Sequence, residues 1–223
     1  MSKKASQHLV QRPIPFATYA SDGGENDTWY VYLLSSQDCT AFKAGFSCNP
    51  LQRIHSFNRR YYERFNLNQS LLLRVDTERQ ARVIESEIKM LLAASRFACP
   101  EWVSIDAGGD TEWFSAVEFS DAAAQLRLLA MDDPQRISTV DDYIRDQLQR
   151  MSGAFEFWAS DYALRLQNDM ESASLGYQRT VTTEPLRDWL DAYRFFVIPL
   201  FNGDAEMLSF VTASAKFSVP GRD

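Results

Sequence analysis

Four side chains in the first 85 residues bring together chemically different groups: the phenol of Tyr32, the ammonium of Lys43, the guanidinium of Arg53 and the carboxylate of Glu85. Gly45 lies between them, eight residues before Arg53, and Glu112-Trp113-Phe114 follows behind a loop containing Gly108-Gly109. A fixed guanidinium can stabilise negative charge that develops on oxygen. A single carboxylate can hold a divalent cation that keeps most of its waters. A hydroxyl or amine can accept a proton from an attacking water. Other chemistries are excluded. His8 and His55 are the only histidines, so a site built from several histidines is ruled out. There is no G-x-S-x-G elbow, no Walker A loop and no G-x-G-x-x-G. Glu87-Ile88-Lys89 has an E-x-K form that belongs on a strand, yet here it falls within a helical pattern.

The elements that must carry these groups are readable from periodicity. Trp29 to Leu34 is aromatic and β-branched and predicts a strand; Ala41 to Phe46 predicts a second, paired as a hairpin across a polar turn. Asn49-Pro50 starts a helix, with Leu51, Ile54, Phe57, Tyr61 and Phe65 along one apolar face and Arg53, Arg60 and Arg64 as a basic stripe beside it. Ser70 to Asp76 predicts a third strand, and Thr77 with Gln80 forms a capping box for a helix reaching about Ala94. The order β-β-α-β-α implies an α+β fold with a small, three-stranded, mainly antiparallel sheet flanked by helices. Beyond Phe119 the pattern predicts helices over 121–131, 140–151, 155–170 and 185–198, with breaks at Asp132-Asp133-Pro134 and Leu175-Gly176 and a short strand at 207–211. Residues 1–27 lack periodicity and read as an arm, so the expected units are 1–27, 28–119 and a helical accessory region over 120–223.

This ordered set resembles the GIY-YIG nuclease superfamily, in the branch with a "VY…KIG…R…E…EWF" pattern. Tyr30-Val31-Tyr32 corresponds to the GIY element and Lys43-Ala44-Gly45 to the YIG element, over about 90 of the 223 residues. The resemblance implies a divalent-metal-dependent endonuclease that hydrolyses DNA phosphodiester bonds. Arg53 would then stabilise phosphoryl charge and Glu85 would hold Mg2+ or Mn2+. Tyr32 would accept the proton from water once its pKa of about 10 is lowered, with Lys43 as the cation that lowers it. Arg60 and Arg64 would bind flanking phosphates. Gly45 fits either this motif or a close backbone approach within a strand. His55 is an additional candidate, two residues after Arg53, where many relatives carry a histidine four residues on; position 57 is Phe. Where the branch often has a histidine four residues after its glutamate, Lys89 stands. Trp113 is expected to pack and close the domain. The alternative is a catalytically degenerate fold of the same type, used for nucleic-acid binding or protein interaction.

The net charge of −7 is uneven: residues 1–75 hold nine Lys/Arg against five Asp/Glu, and residues 76–223 hold fourteen against twenty-five. A basic front can face phosphates while the acidic remainder keeps the molecule soluble. Residues 120–223 are the expected site of contact with a protein partner or a second copy. No apolar run approaches the ~20 residues that span a bilayer, so no membrane partner is expected. Three cysteines without a C-x-x-C pair argue against a disulfide framework and for a cytoplasmic location.

Overall fold

A computed structural model describes residues 28–109, 111–175, 181–201 and 204–216. The expected arm over 1–27, with His8, and the break residue Gly176 lie outside the described residues. The chain opens with the expected hairpin of β1 (Trp29–Ser35) and β2 (Ala41–Ser47). Their antiparallel register sets Tyr32 opposite Gly45 and Leu34 opposite Lys43. The turn is tied by the Asp38 carboxylate, which accepts from the Ser36 and Thr40 hydroxyls and the Thr40 amide.

Helix α1 (Pro50–Phe57) starts as expected, with the Asn49 side chain accepting from the Gln52 amide. It does not run on to Phe65. Asn58 turns extended, its carboxamide oxygen accepts from the Arg60 amide, and a separate short α2 (Tyr61–Arg64) follows. An Asn side chain competes with the helix for main-chain groups, which breaks the stripe at this point. Next come β3 (Leu71–Val75) and α3 (Glu78–Leu91), the latter opened by the Thr77/Gln80 capping box.

The sheet corrects the three-stranded expectation. It has five strands in the order β4-β2-β1-β3-β5, antiparallel throughout. Strand β4 (Trp113–Ser115) adds to the β2 edge and β5 (Ile137–Thr139) to the β3 edge. Each added strand is three residues long, too short for alternation to show in sequence.

The region beyond Phe119 is mostly helical, as expected. It contains α4 (Phe119–Leu129), α5 (Val140–Ser174), α6 (Glu184–Phe195) and α7 (Ala205–Ala215). Helix α5 joins two segments expected to be separate, passing through Ser152-Gly153 because Leu148 and Phe155 on either side bury on the same core. Helix α7 replaces the strand expected at 207–211; the Asp204 side chain caps it by accepting from the Met207 amide.

Strand alternation sends side chains to two cores. Val31, Leu33, Phe42, Ala44, Leu71 and Leu73 pack with residues of α3 and α4. Tyr32, Leu34, Ala41 and Leu72 face the other side, under α1, α2, α5, α6 and α7. The candidate catalytic groups Tyr32 and Lys43 are on this second face, at the β4 end of the sheet. No helix among the described residues is long and apolar enough to cross a membrane.

Candidate active site

Strand β4 pairs with Ala41, Phe42 and Lys43, and one further bond from the Ala44 amide to the Glu112 carbonyl ends the pairing just before Gly45. Tyr32 crosses over that glycine. A Cβ at position 45 would sit 2.4 Å from the Tyr32 hydroxyl and 2.5 Å from its Cζ, so only glycine leaves room for the phenol. The close approach expected at Gly45 is made by the Tyr32 ring rather than by backbone. Arg53 reaches in from α1, its guanidinium 4.5 Å from the Phe57 ring centre. Its Nε is 3.4 Å from the Tyr32 hydroxyl and its Nη1 donates to the Ala107 carbonyl at 2.6 Å.

Lys43 is fully buried beside them. Its Nζ donates to the Gly109 carbonyl at 2.6 Å and pairs with Glu112 at 2.9 Å. The other oxygen of Glu112 lies 2.9 Å from Lys89 Nζ, which also pairs with Glu85 at 3.0 Å. Lys89 and Glu85 are one turn apart on α3, a spacing that puts them on one helix face. The chain Arg53–Tyr32 thus adjoins the chain Lys43–Glu112–Lys89–Glu85. A Cβ built on Gly109 would have Lys43 Nζ, Glu112 Oε2 and Arg53 Nη2 at 2.8, 2.9 and 3.0 Å, so three charged groups converge on one point.

The electrostatics follow from burial and these pairs. Burial pushes the Tyr32 phenol up to about 12, with Arg53 opposing. In this arrangement Tyr32 is a neutral hydroxyl, contrary to the lowered pKa that a proton acceptor calls for. Burial lowers Lys43 as well, against the pull of Glu112. Burial alone would raise Glu112, but its hydrogen bonds to Lys89 and Lys43 prevail and hold it below the usual range. Burial would likewise lower Lys89; its bonds to Glu112 and Glu85 outweigh that and raise it. Glu85 and Glu112 both supply the hard oxygen donors that Mg2+ prefers, and both now contact the Lys89 ammonium. Among the described residues no three His, Cys, Asp or Glu side chains group in a way that could hold a metal.

The other candidates lie elsewhere. Arg60 is taken up by Glu63 at 2.6 Å and by Asp191 on α6 at 3.6 Å. Arg64 is exposed on α2, and its carbonyl accepts from the Gln37 amide in the hairpin turn. Since α1 and α2 are separate helices, neither arginine continues a stripe from Arg53. Trp113 is fully buried, stacked on Phe65 and edge-on to Trp102, which is a packing role. His55 stacks flat on Trp189 of α6, ring centres 4.8 Å apart. Sequence reasoning missed Glu112 and Lys89 as members of the cluster. The signal was present in the EWF motif and in the position four residues after Glu85.

His55 carries a testable pH dependence. Burial, aided by Arg59, depresses it to about 4 from 6.5. Between those values the unfolded chain binds a proton that the folded chain refuses, so stability is lost as pH falls from 6.5 to 4. The loss attributable to His55 is about 3 kcal/mol over the whole window. His55→Phe is expected to flatten that part of the profile in urea melts at pH 7 and pH 4. Parallel profiles for the two proteins would refute it.

No family model, no curated protein and no solved structure matches the chain.

Proposed function

We propose that this chain is a divalent-metal-dependent endonuclease of GIY-YIG type that hydrolyses DNA phosphodiester bonds. The observation that carries the reading is the convergence of Lys43, Arg53 and Glu112 on one point, with Tyr32 against Arg53 and Glu85 linked through Lys89. A phosphodiester transition state needs charge stabilisation on its phosphoryl oxygens, and Arg53 and Lys43 supply two cations from different elements. Glu85 would hold Mg2+ or Mn2+, which would stabilise charge on the phosphoryl and leaving oxygens; binding there entails displacing the Lys89 ammonium from Glu85. Tyr32 would hand the attacking water's proton onward only when hydration or a nearby cation offsets its burial.

One observation favours the second reading, a catalytically degenerate binding module: Tyr32 is held neutral, and Arg53 and Lys43 are already satisfied by their own chain. The two readings part in a nicking assay on supercoiled plasmid with Mg2+ or Mn2+. Wild-type protein is expected to nick, and Glu85→Gln is expected to lose nicking while its thermal melt stays close to wild type. A wild-type protein that binds DNA without nicking it selects the binding module; a Glu85→Gln variant with full Mg2+-dependent activity removes Glu85 from the metal's site. A cytoplasmic location belongs to the proposal too, in keeping with the exposed thiols of Cys39 and Cys48. So does contact with a protein partner or a second copy through residues 120–223, where Phe157 is 81% exposed.

A further inference from the structure

The stretch 105–109, together with Glu112, lies over the candidate site with a divided character. Ile105 is almost fully exposed, while the inward side of the segment is oxygen: the carbonyls of Ala107 and Gly109 and the carboxylate of Glu112. Gly108 and Gly109 both have left-handed backbones, φ 63° and 74°, which glycine takes without the strain another residue would meet. These oxygens meet each of the three cations of the site. Ala107 takes Arg53, Gly109 takes Lys43, and Glu112 takes both Lys43 and Lys89. The segment is anchored on its N-terminal side, where the Ser104 amide donates to the Phe57 carbonyl at 2.7 Å, and on its C-terminal side by β4.

We infer that Lys43, Arg53 and Lys89 form a binding site for a single phosphate-type oxyanion, and that the carbonyls of Ala107 and Gly109 with the Glu112 carboxylate are an internal mimic of that anion, whose contacts must break before a nucleic-acid phosphate can enter. The inference rests on the proposed function only for the identity of the oxyanion. It explains why Tyr32 and Lys43 are almost inaccessible in a site meant to meet a polymer. A cation buried without a counter-charge is costly, so the closed form needs these oxygens as much as an open form needs a phosphate. Apparent affinity for the oxyanion is therefore reduced by the fraction of molecules that are open.

Two substitutions shift that balance by different means. Glu112→Gln keeps the shape and removes the charge that holds Lys43 and Lys89. Gly109→Ala places a Cβ within 3.0 Å of the side-chain ends of Lys43, Glu112 and Arg53, so those groups must shift and their closed contacts loosen, whereas Gly108→Ala meets nothing within 4 Å and controls for backbone strain alone. Binding is measured with inorganic phosphate and with a fluorescent thymidine 12-mer, in EDTA so that no cleavage occurs. Glu112→Gln and Gly109→Ala are expected to bind the 12-mer about tenfold more tightly than wild type, an open fraction of about one tenth becoming nearly all. Gly108→Ala should gain less, and adding Lys43→Met to Glu112→Gln should abolish the gain. Phosphate competing with the 12-mer assigns the site to a lone oxyanion; failure to compete overturns the single-oxyanion site. Equal or weaker 12-mer binding by a folded Glu112→Gln, or by Gly109→Ala if it too folds, overturns the internal mimic. Tighter binding without any plasmid nicking in Mg2+ would uphold the mimic while refuting the hydrolase. Wild-type nicking with no gain in the variants' binding would do the reverse.

Discussion

Arg53→Ala is expected to slow plasmid nicking by about a thousandfold, the scale on which enzymes lose rate when a fixed donor to a developing oxyanion is removed. The guanidinium is held by a main-chain carbonyl, a phenol and the face of Phe57, so it reaches the site pre-oriented. Lys43 cannot replace it, because an ammonium is a point charge and lacks the planar fork. Folding should change little. Arg53 is part-exposed and its helix is anchored by Leu51, Ile54 and Phe57. A quantitative nicking time course beside a thermal melt checks both parts. A rate within a factor of about three of wild type, well short of the expected loss, would remove Arg53 from the chemistry.

Truncation after Phe119 is expected to abolish cooperative unfolding. Strand β5 would be gone from the β3 edge, where Leu71, Leu72 and Leu73 pair with Thr139, Ser138 and Ile137. On one face of the sheet the fragment loses Ala122, Ala123 and Leu126 of α4. On the other it loses Val140, Ile144 and Leu148 of α5, together with Trp189, Leu190 and Tyr193 of α6. His55 would lose its stacking partner, and Tyr62 its contact with Phe195. Each apolar side chain newly exposed costs about 1.5–3 kcal/mol, against a total stability of about 5–15 kcal/mol. Differential scanning calorimetry of the fragment should therefore show no transition, and its far-ultraviolet circular dichroism should be weak. A sharp melt would establish residues 28–119 as a self-sufficient unit with an accessory region behind it.

What could be read from the sequence depended on how local each signal was. Strands β1 to β3 are five to seven residues long and mostly apolar or aromatic. Helices α1 and α3 announce themselves through Asn49-Pro50 and the Thr77/Gln80 pair, whose cap bonds involve neighbours in the chain. Strands β4 and β5 depend on partners far away in sequence, so Trp113–Ser115 and Ile137–Thr139 have no local signature. The run from Met207 to Val211 suits a strand or a helix equally in composition; the Asp204 cap and burial of Val211 against the core decide for helix. The two segments expected over 140–151 and 155–170 join as one helix through Gly153, since a glycine costs a helix only about 1 kcal/mol and packing on both sides overrides it.

The site divides in the same way. Tyr32, Lys43, Gly45, Arg53 and Glu85 were legible because each is a distinctive residue at a fixed place in an ordered motif. Glu112 was visible in the EWF motif, but not its position between two lysines, which depends on where β4 stops. The carbonyls of Ala107 and Gly109 leave no mark in sequence, since every residue has one. The pairing of Arg60 with Glu63 and with Asp191, a partner more than a hundred residues away, could not be read from the basic stripe.

The central claim is that Arg53 and Glu85, on separate helices, act as one unit on a single phosphodiester. Nicking rates of wild type, Arg53→Ala, Glu85→Gln and the double variant, measured in saturating Mg2+, test it most directly. Groups that work on the same transition state are strongly non-additive, so the double variant should be scarcely slower than the slower single variant. If the two losses multiply in full, or if the double variant still nicks at the wild-type rate, the two residues do not form one active site.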